Sequence, residues 1–138
     1  RINGLAEFAL ILPKVLDKHE EFNSRFPTDM SKTDMASQLI KTLGHKSWTW
    51  GDCYANGDLR FFGMVEAIDD KTCYWHLLYS HSSFRTQTRD TLEAIKDFLR
   101  SEGYEEIIFI TRRLSPSYKR FMGKLNAFQY EIKYKCKL

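Results

Sequence analysis

Residues 103–128, GYEEIIFITRRLSPSYKRFMGKLNAF, decide the fold. Ile107, Ile108, Phe109 and Ile110 form a short apolar run rich in β-branched residues, preceded by Gly103 and followed by the polar Thr111, Arg112 and Arg113. Such a run suits a strand covered on both faces. Ser115-Pro116 then starts a helix, a small hydroxyl residue followed by a proline whose missing N–H is harmless in the first turn. Tyr118, Phe121, Met122 and Leu125 recur at helical spacing, so one stripe of that helix packs back on the sheet, and Asn126 stops it. Phe128, Tyr130, Ile132 and Tyr134 alternate with Gln129, Glu131, Lys133 and Lys135, which predicts one half-buried final strand.

Upstream, residues 88–102 carry Leu92, Ile95, Phe98 and Leu99 on one helical stripe, with Gly103 as the stop. Apolar runs at 47–54 and 59–68 flank Asn56-Gly57, a strong hairpin signal. If those two residues are the centre of the turn, Tyr54 faces Leu59, Asp52 faces Phe61 and Trp50 faces Gly63. Trp48, Trp50, Tyr54, Phe61 and Val65 then share one face, with Arg60, Phe62, Met64, Glu66 and Ile68 on the other. A turn at 69–72 leads to a third strand, 73–81, whose alternation sets Cys73, Trp75, Leu77, Tyr79 and His81 against Tyr74, His76, Leu78 and Ser80. Before the meander, two helices are expected. One covers 5–22 and either kinks at Pro13 or begins near it; the other is capped by Ser31 or Thr33, after an interruption at 26–29, and ends at Gly44.

A chain of 138 residues is expected to form one domain, 1–138, burying roughly two thirds of the surface its unfolded form exposes. A hydrophobic fraction of 43% supplies a core without metal or disulfide. The net charge of +3 is spread along the chain, which suits an anionic small ligand and does not indicate nucleic acid. Cys53, Cys73 and Cys136 lack paired metal-site spacing, so reduced thiols and a cytoplasmic location are expected, with no metal. No apolar run approaches a membrane span.

From Thr88 onward the chain resembles the second half of the GNAT N-acetyltransferases, in which a helix, a strand, a helix ending near a phenylalanine and a final strand surround acetyl-CoA. The run Arg120-Phe121-Met122-Gly123-Lys124-Leu125-Asn126-Ala127-Phe128 is similar to that family's R-F-Y-x-K-L-G-F segment with one residue inserted. The chain is more loosely similar to small GNAT-like proteins of T7-type phages. The resemblance implies an α/β fold, a mixed and largely antiparallel sheet with helices on both faces, whose opening strand lies at or before Arg1 and Ile2.

It also implies acetyl-CoA as cofactor and a small-molecule or protein amine as acceptor. The family's pyrophosphate loop, Q/R-x-x-G-x-G/A, corresponds to Arg85-Thr86-Gln87-Thr88-Arg89-Asp90, with Thr88 and Asp90 at the glycine positions. This puts Arg85, Gln87, Thr88 and Arg89 at the pyrophosphate and the strand edge at Leu77, Tyr79 and His81 beside pantetheine. Met122 stands where the family has its proton-donating tyrosine, and Tyr118, four residues earlier, is the phenol on roughly the same face. Glu66, His76 and His81 are the candidate bases for the attacking amine. Each of these side chains also has a structural reading, Tyr118 as a packing residue and the histidines as satisfied strand residues. Loss of the glycines and the tyrosine equally suits a chain that transfers nothing and acts in binding or assembly, as a homodimer or a phage virion component.

Overall fold

The structure, a computed structural model, describes residues 1–25, 30–110, 116–124, 127–130 and 133–138. Three helices, α1 (Gly4–Leu16), α2 (His19–Arg25) and α3 (Lys32–Leu43), precede the meander β1 (Ser47–Cys53), β2 (Leu59–Ala67) and β3 (Thr72–Ser80). A 3₁₀ turn, Ser82–Phe84, leads into α4 (Arg85–Ser101), followed by β4 (Glu106–Ile110), α5 (Pro116–Lys124), β5 (Ala127–Tyr130) and β6 (Lys133–Lys137). The strands form one sheet in the order β1-β2-β3-β4-β6-β5. Among the described strands only β3 and β4 pair in parallel. Ile2 makes an antiparallel bridge to Thr49, placing the start of the chain at the outer edge of β1.

Two cores lie on the two faces. Phe8, Ile11 and Val15 of α1, Phe22 of α2 and Met35 and Leu39 of α3 cover Leu59, Phe62, Met64 and Tyr79. On the opposite face Leu92, Ile95 and Leu99 of α4, with Met122 of α5, cover Phe61, Val65, Cys73, Trp75, Ile107 and Phe109. Leu92, Ile95 and Leu99 are the helical stripe expected from their spacing, and they are almost wholly buried.

Two bulges correct the expected faces. Gly57 lies at φ +91°, and its N–H donates to Tyr54 O at 2.9 Å while Tyr54 N–H donates to Asp58 O at 2.8 Å. The loop therefore has three residues, and Cys53, not Tyr54, pairs with Leu59. Register then shifts before Asp52↔Phe61 and Trp50↔Gly63, so Arg60 is the extra residue of a bulge. Arg60 consequently shares a face with Phe84 and Tyr54, over whose rings its guanidinium lies, and Tyr54 and Leu59 point to opposite faces. The second bulge is in β3: Val65 pairs with Trp75 but Met64 pairs with Leu77, leaving His76 unpaired. Alternation reverses there, so Tyr79 enters the α1–α3 core while Cys73 and Trp75 stay under α4.

The expected first helix is divided at Asp17-Lys18 rather than at Pro13. Pro13 lies inside α1, and Lys18 N–H turns back to Val15 O at 3.0 Å, a tightened turn that ends it. The expected last strand is two strands, paired antiparallel from Ala127↔Cys136 to Tyr130↔Lys133; the alternating sequence carries no glycine or asparagine to announce the division. The interruption at 26–29, Ser115 and the stop at Asn126 lie outside the described residues.

Gly63 is where a side chain is least tolerable near the β3 bulge. A Cβ there would stand 2.8 Å from Cζ2 of Trp75, whose indole is buried and stacked on Phe109 with ring centroids 5.4 Å apart. Gly63→Ala should therefore cost about 1–3 kcal/mol of stability by overpacking, seen in urea as a lower midpoint at unchanged slope.

Candidate active site

The parallel pairing of β3 with β4 runs over only four pairs, from Thr72↔Glu106 to Trp75↔Phe109. Beyond them β3 continues to Ser80 with β2 alone as its partner among the described residues, and β4 follows β6 to Ile110↔Lys133. Among the described residues the β4-facing edge of β3 over residues 76–80 has no strand paired to it. Directly after this edge, His81 O accepts from Phe84 N–H at 2.8 Å and α4 begins.

The head of α4 differs from a glycine loop. Arg85-Thr86-Gln87-Thr88-Arg89-Asp90 already belongs to the helix, with Phe84 as N-cap and no acidic residue in the first turn. Thr86, Gln87 and Arg89 are exposed, whereas Thr88 is buried, its hydroxyl donating to Phe84 O at 3.1 Å and touching Ser80 Oγ. Thr88 thus ties the first turn of α4 to the end of β3. His81 Nδ1 accepts from Ser83 N–H at 3.2 Å and lies 2.9 Å from Ser83 Oγ, which also meets Tyr54 OH. The turn ahead of the helix is thereby fixed, and the positive end of the α4 dipole lies at this junction.

On the other side of the sheet the bulge residue His76 meets Glu66. His76 Nε2 lies 3.5 Å from Glu66 Oε2, an electrostatic contact too poorly aligned for a hydrogen bond, while His45 Nδ1 reaches the same oxygen at 3.1 Å. Tyr74 flanks the imidazole of His76 with ring centroids 5.1 Å apart. Burial pushes the His76 imidazole below its ordinary pKa, against the opposing pull of Glu66, so it is neutral at pH 7 and able to accept a proton. Trp75 Nε1, one residue before, is buried with no hydrogen-bond partner among the described residues. Cys73 nearby is no nucleophile, because burial pushes its thiol up to about 12.

The structure thus brings Glu66 and His76 together and sets His81, Gln87, Thr88 and Arg89 at the junction of β3 and α4. Tyr79 is buried, with Phe22 at its ring edge and the Lys18 ammonium over its face. Leu77 pairs with Met64, Arg85 opens α4, and Tyr118 lies in the first turn of α5; their side chains are outside what is described. His45 and Ser83 were not expected. His45 lies 21 residues from Glu66 in the chain, a separation that carries no sequence signal.

No protein-family model and no curated protein sequence matches the chain. Solved structures do. An acetyltransferase from Streptococcus agalactiae superposes with a TM-score of 0.76 at 16% identity, covering 100% of this chain and 95% of that one. A GNAT-family acetyltransferase from Staphylococcus aureus gives 0.73 at 10% identity over 99% and 96% of the two chains. The PaiA N-acetyltransferase from Thermoplasma acidophilum, solved in complex with coenzyme A, gives 0.67 at 13% identity over 100% and 97%. The fold is therefore that of the GNAT acetyltransferases.

The depressed His76 pKa has a consequence for stability. The unfolded chain takes up a proton at this imidazole near its ordinary value of 6.5, the folded chain only at lower pH. Its contribution to stability is therefore present above 6.5 and is lost as pH falls towards the folded value. Urea denaturation of His76→Gln should show a shallower loss of stability on the acid side of 6.5 than the parent chain.

Proposed function

We propose that the chain is an acetyl-CoA-dependent N-acyltransferase that moves an acyl group to an amine. The observation that carries this reading is the end of the β3–β4 ladder at Trp75 and Phe109, with a neutral, half-buried imidazole at the bulge beside it and the head of a long helix beyond. An arm containing amide groups fits the open edge of β3, where Leu77, Tyr79 and His81 present backbone donors and acceptors, as an added strand would. A pyrophosphate fits the first N–H groups of α4, with Arg85, Gln87 and Arg89 around it, while Thr88 holds that turn to Ser80. Bound acetyl-CoA supplies an activated thioester. The described residues fit it also in what they leave unpaired, since Trp75 Nε1, one residue before His76, is a buried donor without an acceptor among them.

His76 is the base in this reading. With Nε2 carrying its proton on the side of Glu66, Nδ1 is the nitrogen that takes the proton of the attacking amine, and the Glu66 carboxylate stabilises the imidazolium that results. Tyr118 is the group on α5 that can protonate or stabilise the departing thiolate. Thiols have pKa values near 8.5, so loss of such a donor should cost only of order ten- to a hundredfold. Holding amine and thioester together is the larger part of catalysis here. A second reading, binding or assembly without transfer, as a homodimer or virion component, is favoured by Met122, which fills the core where the family's tyrosine would stand.

Isothermal titration with acetyl-CoA, followed by assay against a panel of small amines and peptides, tests the proposal. Binding with turnover of an amine is the expected result; binding without turnover favours the second reading, and no binding removes the first. Arg85→Ala with Arg89→Ala should weaken acetyl-CoA binding and flatten its salt dependence. Tyr118→Phe should lower turnover ten- to a hundredfold with affinity nearly unchanged, and equal turnover would take Tyr118 out of the mechanism.

A further inference from the structure

We infer that His45 is a positioning residue for the Glu66–His76 pair and that its own protonation disables His76 as a base. The inference deepens the proposed transferase reading and rests on it for its kinetic part. One carboxylate oxygen, Glu66 Oε2, faces two imidazoles, His45 at 3.1 Å and His76 at 3.5 Å. The two differ sharply in surroundings, the His45 side chain being 52% exposed and that of His76 17%. His45 is fixed at the end of α3, where its N–H donates to Thr42 O at 3.0 Å, and the adjoining backbone is held by Ala67 N–H donating to Lys46 O at 2.9 Å. Among the described residues, Glu66 from β2, His45 from the α3 end and the neutral phenol of Tyr74 from β3 are the titratable groups that meet His76.

Neutral His45, donating from Nδ1, holds Oε2 in place and leaves the negative charge of Glu66 for the imidazolium formed when His76 takes the amine proton. Once His45 gains its second ring proton it neutralises that charge and repels a second cation. The single carboxylate supports one imidazolium at a time, so a proton on the exposed ring excludes one on the buried ring.

The titration of the His76 ring, followed by NMR in the full chain with acetyl-CoA absent, decides the coupling. In His45→Gln, where an amide can still hold Glu66 but cannot ionise, His76 should titrate at higher pH than in the parent, because the like charge has gone. An unchanged His76 midpoint overturns the inference. In the transferase assay a proton on either ring disables the base and excludes the second, so the acid limb of the parent should have the slope of one proton and lie at higher pH than that of His45→Gln, with acetyl-CoA affinity unchanged. His45→Ala, which also loses the hold on Glu66, should in addition lower the plateau of kcat by of order tenfold, and His45→Gln should restore it. Identical pH profiles in parent and His45→Gln overturn the kinetic role. Failure to turn over any amine would count against the transferase reading alone, since the NMR titration judges the pair without it.

Discussion

The stacking of Trp75 on Phe109 at the last parallel pair marks the constraint on which the rest of the molecule depends. Up to that pair β3 and β4 share a ladder; beyond it each follows a different neighbour. β4 is held by five antiparallel pairs to β6, and β3 by β2, across a ladder that the extra residue His76 twists. A bulge increases the local twist of its strand, and a strand cannot satisfy two diverging partners. The end of their ladder thus follows from pairing on both sides, with packed cores on both faces of the sheet.

The same bulge distributes chemistry between the faces. By reversing alternation it sends Tyr79 into the α1–α3 core and lets Ser80 meet Thr88 on the α4 side. That contact ties the head of α4 to the end of β3, and Leu92, Ile95 and Leu99 anchor the rest of the helix on the sheet. On the opposite face, the unpaired residue is His76, held near Glu66 of the neighbouring strand. One inserted residue therefore sets both the contact that ties the head of α4 to β3 and the position of His76.

Much of this was legible in the sequence because it depends on local pattern. The stripe of α4, the apolar run of β4 and the Asn56-Gly57 turn specify elements through periodicity and backbone preference, and the register from Asp52↔Phe61 onward follows from them. The bulges at Arg60 and His76 were not legible. Each depends on how a strand accommodates two partners, and no glycine or proline marks either. The faces of Arg60 and Tyr79 were missed for that reason, and the division of the last strand for a related one: β6 is defined by its ladder with β4, which an alternating run cannot announce. Glu66 and His76 were legible as polar groups on strands. Their meeting with His45 required the end of α3 to be laid against β2.

The head of α4 also changes the weight of the missing glycines. In a loop, glycine matters because it permits positive φ and close backbone approach. Here the helix begins at Arg85 with Phe84 in the right-handed region, so the first-turn N–H groups are presented by helical geometry and any residue can offer them. Thr88 has a structural task that glycine could not perform, a hydroxyl shared between Phe84 O and Ser80. Asp90 lies past the first turn and is exposed, where solvent screens its charge, whereas Arg89 beside it is a cation of equal exposure. Threonine and aspartate at these positions therefore weigh little against an anion at this helix. The burden falls on the two arginines and on whether the edge of β3 is filled.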